Sequence, residues 1–169
     1  MKSLSKGWEG GECIEAFLPN RQVAGALTLV GMASLAVIAL YQVGFLKSLP
    51  EPRLAILDAG KVNGSKEAYE ILGIPDALLG LGSYAATLGL VLTGKPNRTE
   101  ITPWVPLMLA AKCCVDTLQA ARLTRKSWLK FRAFSLYSLI TVAATFLTLP
   151  VILPEASAAW RKLRSNHHD

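Results

Sequence analysis

From Ala24 to Leu46 the chain runs for 23 residues without a charged side chain. A helix rises about 1.5 Å per residue, so this run is long enough for a hydrocarbon core of about 30 Å. It reads as a transmembrane helix. Gly25, Ala26, Gly31, Ala33, Ser34 and Ala36 keep its surface low, which lets another helix approach closely. Tyr41 and Gln42 near its end suit a membrane interface.

Three further apolar stretches follow. Residues 75–93 open on Pro75, which is tolerated in a helical first turn, and are rich in small residues (Gly80, Gly82, Ser83, Ala85, Ala86, Gly89). Gly80, Tyr84 and Thr87 recur at three- and four-residue spacing and so share one face, suited to tight packing or to lining a ligand. Residues 103–121 form the third stretch and 133–153 the fourth, with a break expected at Pro150 and Pro154. Between the first two lies a mixed connection, 47–74, whose Ser65 to Gly73 segment reads as a capped short helix. The whole is one domain, 1–169, of the all-α class: a polytopic four-transmembrane-helix bundle with a short helix in its first loop.

Composition agrees with that class. Of 169 residues, 51% are hydrophobic, and they are gathered into runs rather than dispersed as in a soluble domain. The net charge of +6 lies in connections and in the basic tail Trp160-Arg161-Lys162-Leu163-Arg164, which favours a membrane surface over nucleic acid. About twenty mixed residues, with Glu9, Glu12 and Glu15 among them, precede the first apolar run, so no cleavable leader is expected. Lysine and arginine number eight on the side of the termini and nine on the other, so charge does not orient the bundle.

Few residues carry chemistry. The three cysteines, Cys13, Cys113 and Cys114, offer neither a disulfide framework nor metal-ligand spacing, and no metal is expected. Cys113 and Cys114 are adjacent, where a bridge is strained, and read as small packing residues. His167 and His168 sit at the extreme terminus. Lys112 and Asp116 are four apart, one above the other on a helix. Ionisable groups at membrane depth are costly and usually functional, whereas a pair near the boundary can snorkel to the interface; both readings stand for these two. Ser135 and Ser138 share a face at the start of the fourth stretch.

Two local patterns resemble a known family. Asn63-Gly64-Ser65, Ala68-Tyr69, Leu72-Gly73-Ile74-Pro75 and Ala77-Leu78-Leu79-Gly80, followed later by Arg132-Ala133-Phe134-Ser135-Leu136-Tyr137-Ser138-Leu139, are similar to segments of the vitamin K epoxide reductase-like membrane proteins. The resemblance spans roughly residues 24–153. It implies a four-helix bundle holding a quinone near the external surface, with both termini cytoplasmic, the 47–74 loop outside and a bacterial inner membrane as the location. It also implies a Cys-x-x-Cys pair at the fourth-helix positions that here hold Ser135 and Ser138, fed by a second cysteine pair in the first loop. That loop has no cysteine: Leu57 precedes Asp58 where Cys-Asp is expected, or Ser65 fills a cysteine position under another spacing. Asp76 stands where many relatives carry asparagine, a donor to a quinone carbonyl.

Serine hydroxyls form no disulfide and do not ionise near neutral pH, so thiol exchange at these positions is absent. Three functions remain open. The first is a redox-silent binding or accessory subunit that retains a quinone pocket, with Ser65, Asp76, Gly80, Tyr84, Ser135 and Ser138 as candidate lining. The second is a quinone-linked thiol oxidoreductase whose cysteines have been replaced by serine. The third is a structural subunit docked to other membrane proteins. In each case the bilayer is the first partner.

Overall fold

The computed structural model describes residues 17–49, 75–95, 97–132 and 134–165. Ser65, the short helix expected from Ser65 to Gly73, Cys13 and the terminal histidines lie outside the described residues. Those described form five helices: α1 (Leu18–Gln42), α2 (Asp76–Leu92), α3 (Arg98–Ile101), α4 (Trp104–Phe131) and α5 (Leu136–Ser165). No strand occurs among them. The all-α class expected from the apolar runs is therefore observed.

Two helices, α1 and α5, are long and apolar enough by themselves to cross a membrane. At 17 residues α2 is apolar but shorter, and α4 carries Lys112 and Asp116 in its middle. The four long helices pack as a ring. α1 lies against both α5 and α2, α4 lies against α5, and a smaller contact between α4 and α2 closes the circuit. α2 and α5 are thus diagonal. One core cluster (Ala24, Val91, Leu109, Cys113, Ile152) fills the end of the bundle where α1 begins. A second, Ile38, Ala39 and Ala77 with Leu35, Leu81 and Tyr137 packed against it, fills the end where α2 and α5 begin.

Helix boundaries differ from the apolar runs for local reasons. α1 stops at Gln42 rather than Leu46. Gly44 adopts φ +80, and the amides of Gly44 and Phe45 donate to the Tyr41 and Leu40 carbonyls at 3.0 and 2.9 Å. This is the reversed pair of hydrogen bonds with which a glycine in left-handed conformation closes a helix. α2 begins at Asp76, with Pro75 (φ −55, ψ 128) as the preceding cap residue. Gln42 Oε1 accepts the Ala77 N–H at 3.2 Å, so the end of α1 satisfies one of the orphan donors at the start of α2.

α4 does not stop at Ala121. Nothing from Arg122 to Phe131 breaks a helix, and the segment is composed largely of good helix formers, so the helix runs on until Arg132 turns it off at φ 51. Stacking of Trp128 on Phe134, centroids 5.3 Å apart, closes the short link to α5.

The expected break at Pro150 and Pro154 does not occur. α5 continues through both prolines to Ser165, so the basic tail Arg161, Lys162 and Arg164 is its last turns. Each proline removes one backbone donor, but Ile152, Ala156 and Ala159 on this segment are buried against the bundle. That packing holds the chain helical where local propensity opposes it.

Candidate functional site

Ser135 and Ser138 sit at the start of α5, but not as two equivalent helical residues. Ser135 precedes the helix: its carbonyl accepts the Leu139 N–H at 3.0 Å, the first hydrogen bond of α5. It therefore holds the cap position, where serine is among the preferred residues, and it is wholly buried. Ser138 is the third residue of the first turn and is half-buried. Tyr137 between them packs on the cluster containing Ala77, which brings this end of α5 to the beginning of α2. Asp76 opens α2 there and is exposed.

Further along α2, Gly80 and Tyr84 face inward. Gly80 lies against Leu35 of α1; a Cβ there would come within 3.2 Å of both Leu35 methyls. Tyr84 crosses the bundle to the diagonal helix, its ring lying over Gly31 of α1 so closely that a Cβ on Gly31 would overlap the ring carbons. The Tyr84 hydroxyl donates to the Thr141 carbonyl at 2.9 Å and also meets Thr145 Oγ1. Thr145 Oγ1 itself lies 2.9 Å from the same carbonyl. Two hydroxyl protons serve three contacts among three oxygens, so Tyr84 is committed to holding α2 against α5.

Beside Tyr84 on α2, a polar cluster joins α2 to α4. Lys112 Nζ is 2.5 Å from Asp116 Oδ2 and donates to Ser83 Oγ at 2.9 Å. Ser83 Oγ donates to Asp116 Oδ1 at 3.1 Å, and Thr87 Oγ1 to Oδ2 at 3.4 Å. Both ionic side chains retain 21% exposure. Each carboxylate oxygen thus has a donor, the condition under which a charge can be withdrawn from water.

Cys113 and Cys114 are not arranged as a redox pair. Both are free; the first is buried in the core cluster and the second is exposed, so they point in different directions. Among the described residues, no group of three or more His, Cys, Asp or Glu converges on a metal-sized position.

A second charge pair escapes any reading of the apolar runs. Arg98 on α3 and Glu155 on α5 are 0% and 2% exposed and meet in a two-pronged ion pair at 2.6 and 2.7 Å. The third guanidinium nitrogen donates to the carbonyls of Leu90, Val91 and Thr93 at 2.8, 3.2 and 2.9 Å. From α1, Arg21 reaches the carbonyls of Val91, Thr93, Gly94 and Lys95 at 3.2 to 3.4 Å. Two arginines thereby cap the end of α2, where helix carbonyls lack partners and cations are favoured. The sequence signal for this clasp is slight: Glu155 is the one acidic residue between Ala133 and the end of α5.

A quinone presents two carbonyl acceptors, so a site for it must offer donors. The Ser138 hydroxyl qualifies. The Tyr84 proton is taken within the bundle, and an ionised Asp76 only accepts. Among the described residues, this end of the bundle holds no thiol to exchange.

Comparison with known proteins bears on the same residues. No curated protein matches the chain. The profile of the vitamin K epoxide reductase family matches residues 22–153, from α1 through most of α5 and including Ser135 and Ser138. With that match over more than half its length, on an all-helical chain with two membrane-length apolar helices, the chain belongs to the vitamin K epoxide reductase family.

Proposed function

We propose that the chain is a four-span membrane bundle that binds a quinone-type ligand at the α2–α5 end and acts as a redox-silent binding or accessory subunit. In this reading α2 and α4 cross the membrane beside α1 and α5, both termini face one side, and Ser138 donates to a ligand carbonyl. Asp76 and Gly80 line the approach, and Ser65 contributes from the first loop. Tyr84 shapes the floor as a strut rather than a ligand.

The observation that carries the proposal is the pair Ser135 and Ser138 at the start of α5. A wholly buried serine at a helix cap position suits a structural role, and its oxygen has no disulfide chemistry. Fold alone does not assign an activity, so the claim rests on these positions and not on the bundle.

Equilibrium binding of a short-chain naphthoquinone to the protein in lipid nanodiscs, followed by quenching of tryptophan fluorescence, tests it. Saturable binding that weakens by about tenfold in Ser138→Ala, the loss of one hydrogen bond to a buried acceptor, supports the proposal. Absence of saturable binding, or identical affinity in Ser138→Ala, contradicts it.

A further inference from the structure

α4 carries an open groove of about 720 Å³, lined by Ala121, Arg122, Arg125, Lys126, Leu129 and Lys130. It lies on the last turns of the helix, at the end of the bundle where α5 begins, and none of its lining residues belongs to α2 or α5. We propose that this groove is a binding site for an anionic phospholipid, the headgroup phosphate resting on Arg122 and Arg125 and an acyl chain running back along α4.

The placement follows from helix length. α4 has 28 residues, which at about 1.5 Å each exceeds a hydrocarbon core of about 30 Å by about two turns. Register shows which turns protrude. Ser83 of α2 meets Asp116 of α4; from there α2 ends seven residues away at Asp76, whereas α4 runs fifteen residues on to Phe131. The basic segment therefore emerges beyond the shorter helix, at the level where headgroups lie.

The face itself changes character at the right depth. Met108, Val115 and Leu118 are all exposed, and helical spacing puts them on the same side of α4 as Arg122 and Arg125. Acyl chains suit the first group and a phosphate suits the second. Both arginines are exposed, and their planar guanidinium groups match phosphate oxygens two at a time. The one acidic residue of α4, Asp116, is turned to Ser83 and Thr87 of α2 and does not neutralise this face. Exposed Leu129 among the cations gives the groove an apolar floor that a free phosphate does not need.

This inference rests on the membrane reading but not on the quinone site. Its test is native mass spectrometry of the detergent-solubilised protein titrated with phosphatidylglycerol or phosphatidylcholine of matched chains, with inorganic phosphate as competitor. The expected result is retention of phosphatidylglycerol over phosphatidylcholine by an order of magnitude or more, lost in Arg122→Gln/Arg125→Gln and kept in Arg161→Gln/Arg164→Gln at the other end of the bundle. Equal retention of the two lipids, equal loss in both double variants, or displacement by millimolar phosphate overturns the proposal. Retention of neither lipid overturns it together with the membrane reading, whereas equal retention overturns the site alone.

Discussion

Tyr84 reaches across the bundle to α5 only because residue 31 is glycine: its ring occupies the space that any Cβ on Gly31 would fill. A side chain there must displace an aromatic ring that is hydrogen-bonded at its far end to Thr141. Gly31→Ala is therefore expected to destabilise the bundle by about 1–3 kcal/mol, the usual cost of overpacking. Gly82, beside which nothing lies within 4 Å, is the matched control. Gly82→Ala is expected to be neutral or to stabilise by about 0.5–1 kcal/mol through helix propensity. Thermal unfolding in detergent, followed by loss of helical circular dichroism, separates the two.

The Arg98–Glu155 pair predicts a larger effect. Glu155→Gln leaves a buried guanidinium without its counter-charge, and a loss of about 3–5 kcal/mol is expected. Arg98→Lys is nearly as damaging, because one ammonium cannot hold both carboxylate oxygens and the three α2 carbonyls at once. Exchanging the two residues does not restore stability, since a carboxylate at position 98 faces those same carbonyls. The measurement is the denaturant midpoint of each variant and of the exchanged double variant.

Lys112 and Asp116 are less enclosed, and their coupling is correspondingly small. A double-mutant cycle with Lys112→Met and Asp116→Asn is expected to give about 1 kcal/mol. Ser83 bridges the pair, so Ser83→Ala lowers that coupling without abolishing it.

Ser135→Ala replaces a preferred residue at the cap position of α5, and a loss of about 0.5–2 kcal/mol of stability is expected. Ser138→Ala, inside the first turn and half-buried, is expected to cost less. A larger loss at 138 than at 135, measured by the same unfolding transition, contradicts the division of roles between the two serines.

Much of the bundle is legible in the sequence because hydrophobic runs and helix turns are local. Each apolar stretch marks one long helix, though not its ends, and four-residue spacing alone makes Lys112 and Asp116 neighbours. The helix ends are harder. Gly44 marks the end of α1 for a reader who weighs it as a cap rather than as one more apolar residue. The continuation of α5 past Pro150 and Pro154 depends on burial of Ala156 and Ala159, which only the tertiary structure supplies. Arg98 and Glu155 are 57 positions apart, and no local pattern ties a loop arginine to a glutamate behind a proline. Tyr84 has the same difficulty: Gly31, Tyr84 and Thr141 lie on three different helices, and their meeting is a product of the packing.

The most direct measurement is quinone turnover driven by a dithiol. The purified protein in nanodiscs is given a naphthoquinone and dithiothreitol, and hydroquinone formation is followed against a protein-free control. Ser135→Cys/Ser138→Cys serves as the comparison, its two sulfurs lying at the cap and first turn of α5, where a helix start favours the thiolate. The account predicts no turnover above control for the natural sequence, and a dithiol-reducible disulfide only in the cysteine variant. Turnover above control by the unsubstituted protein contradicts it.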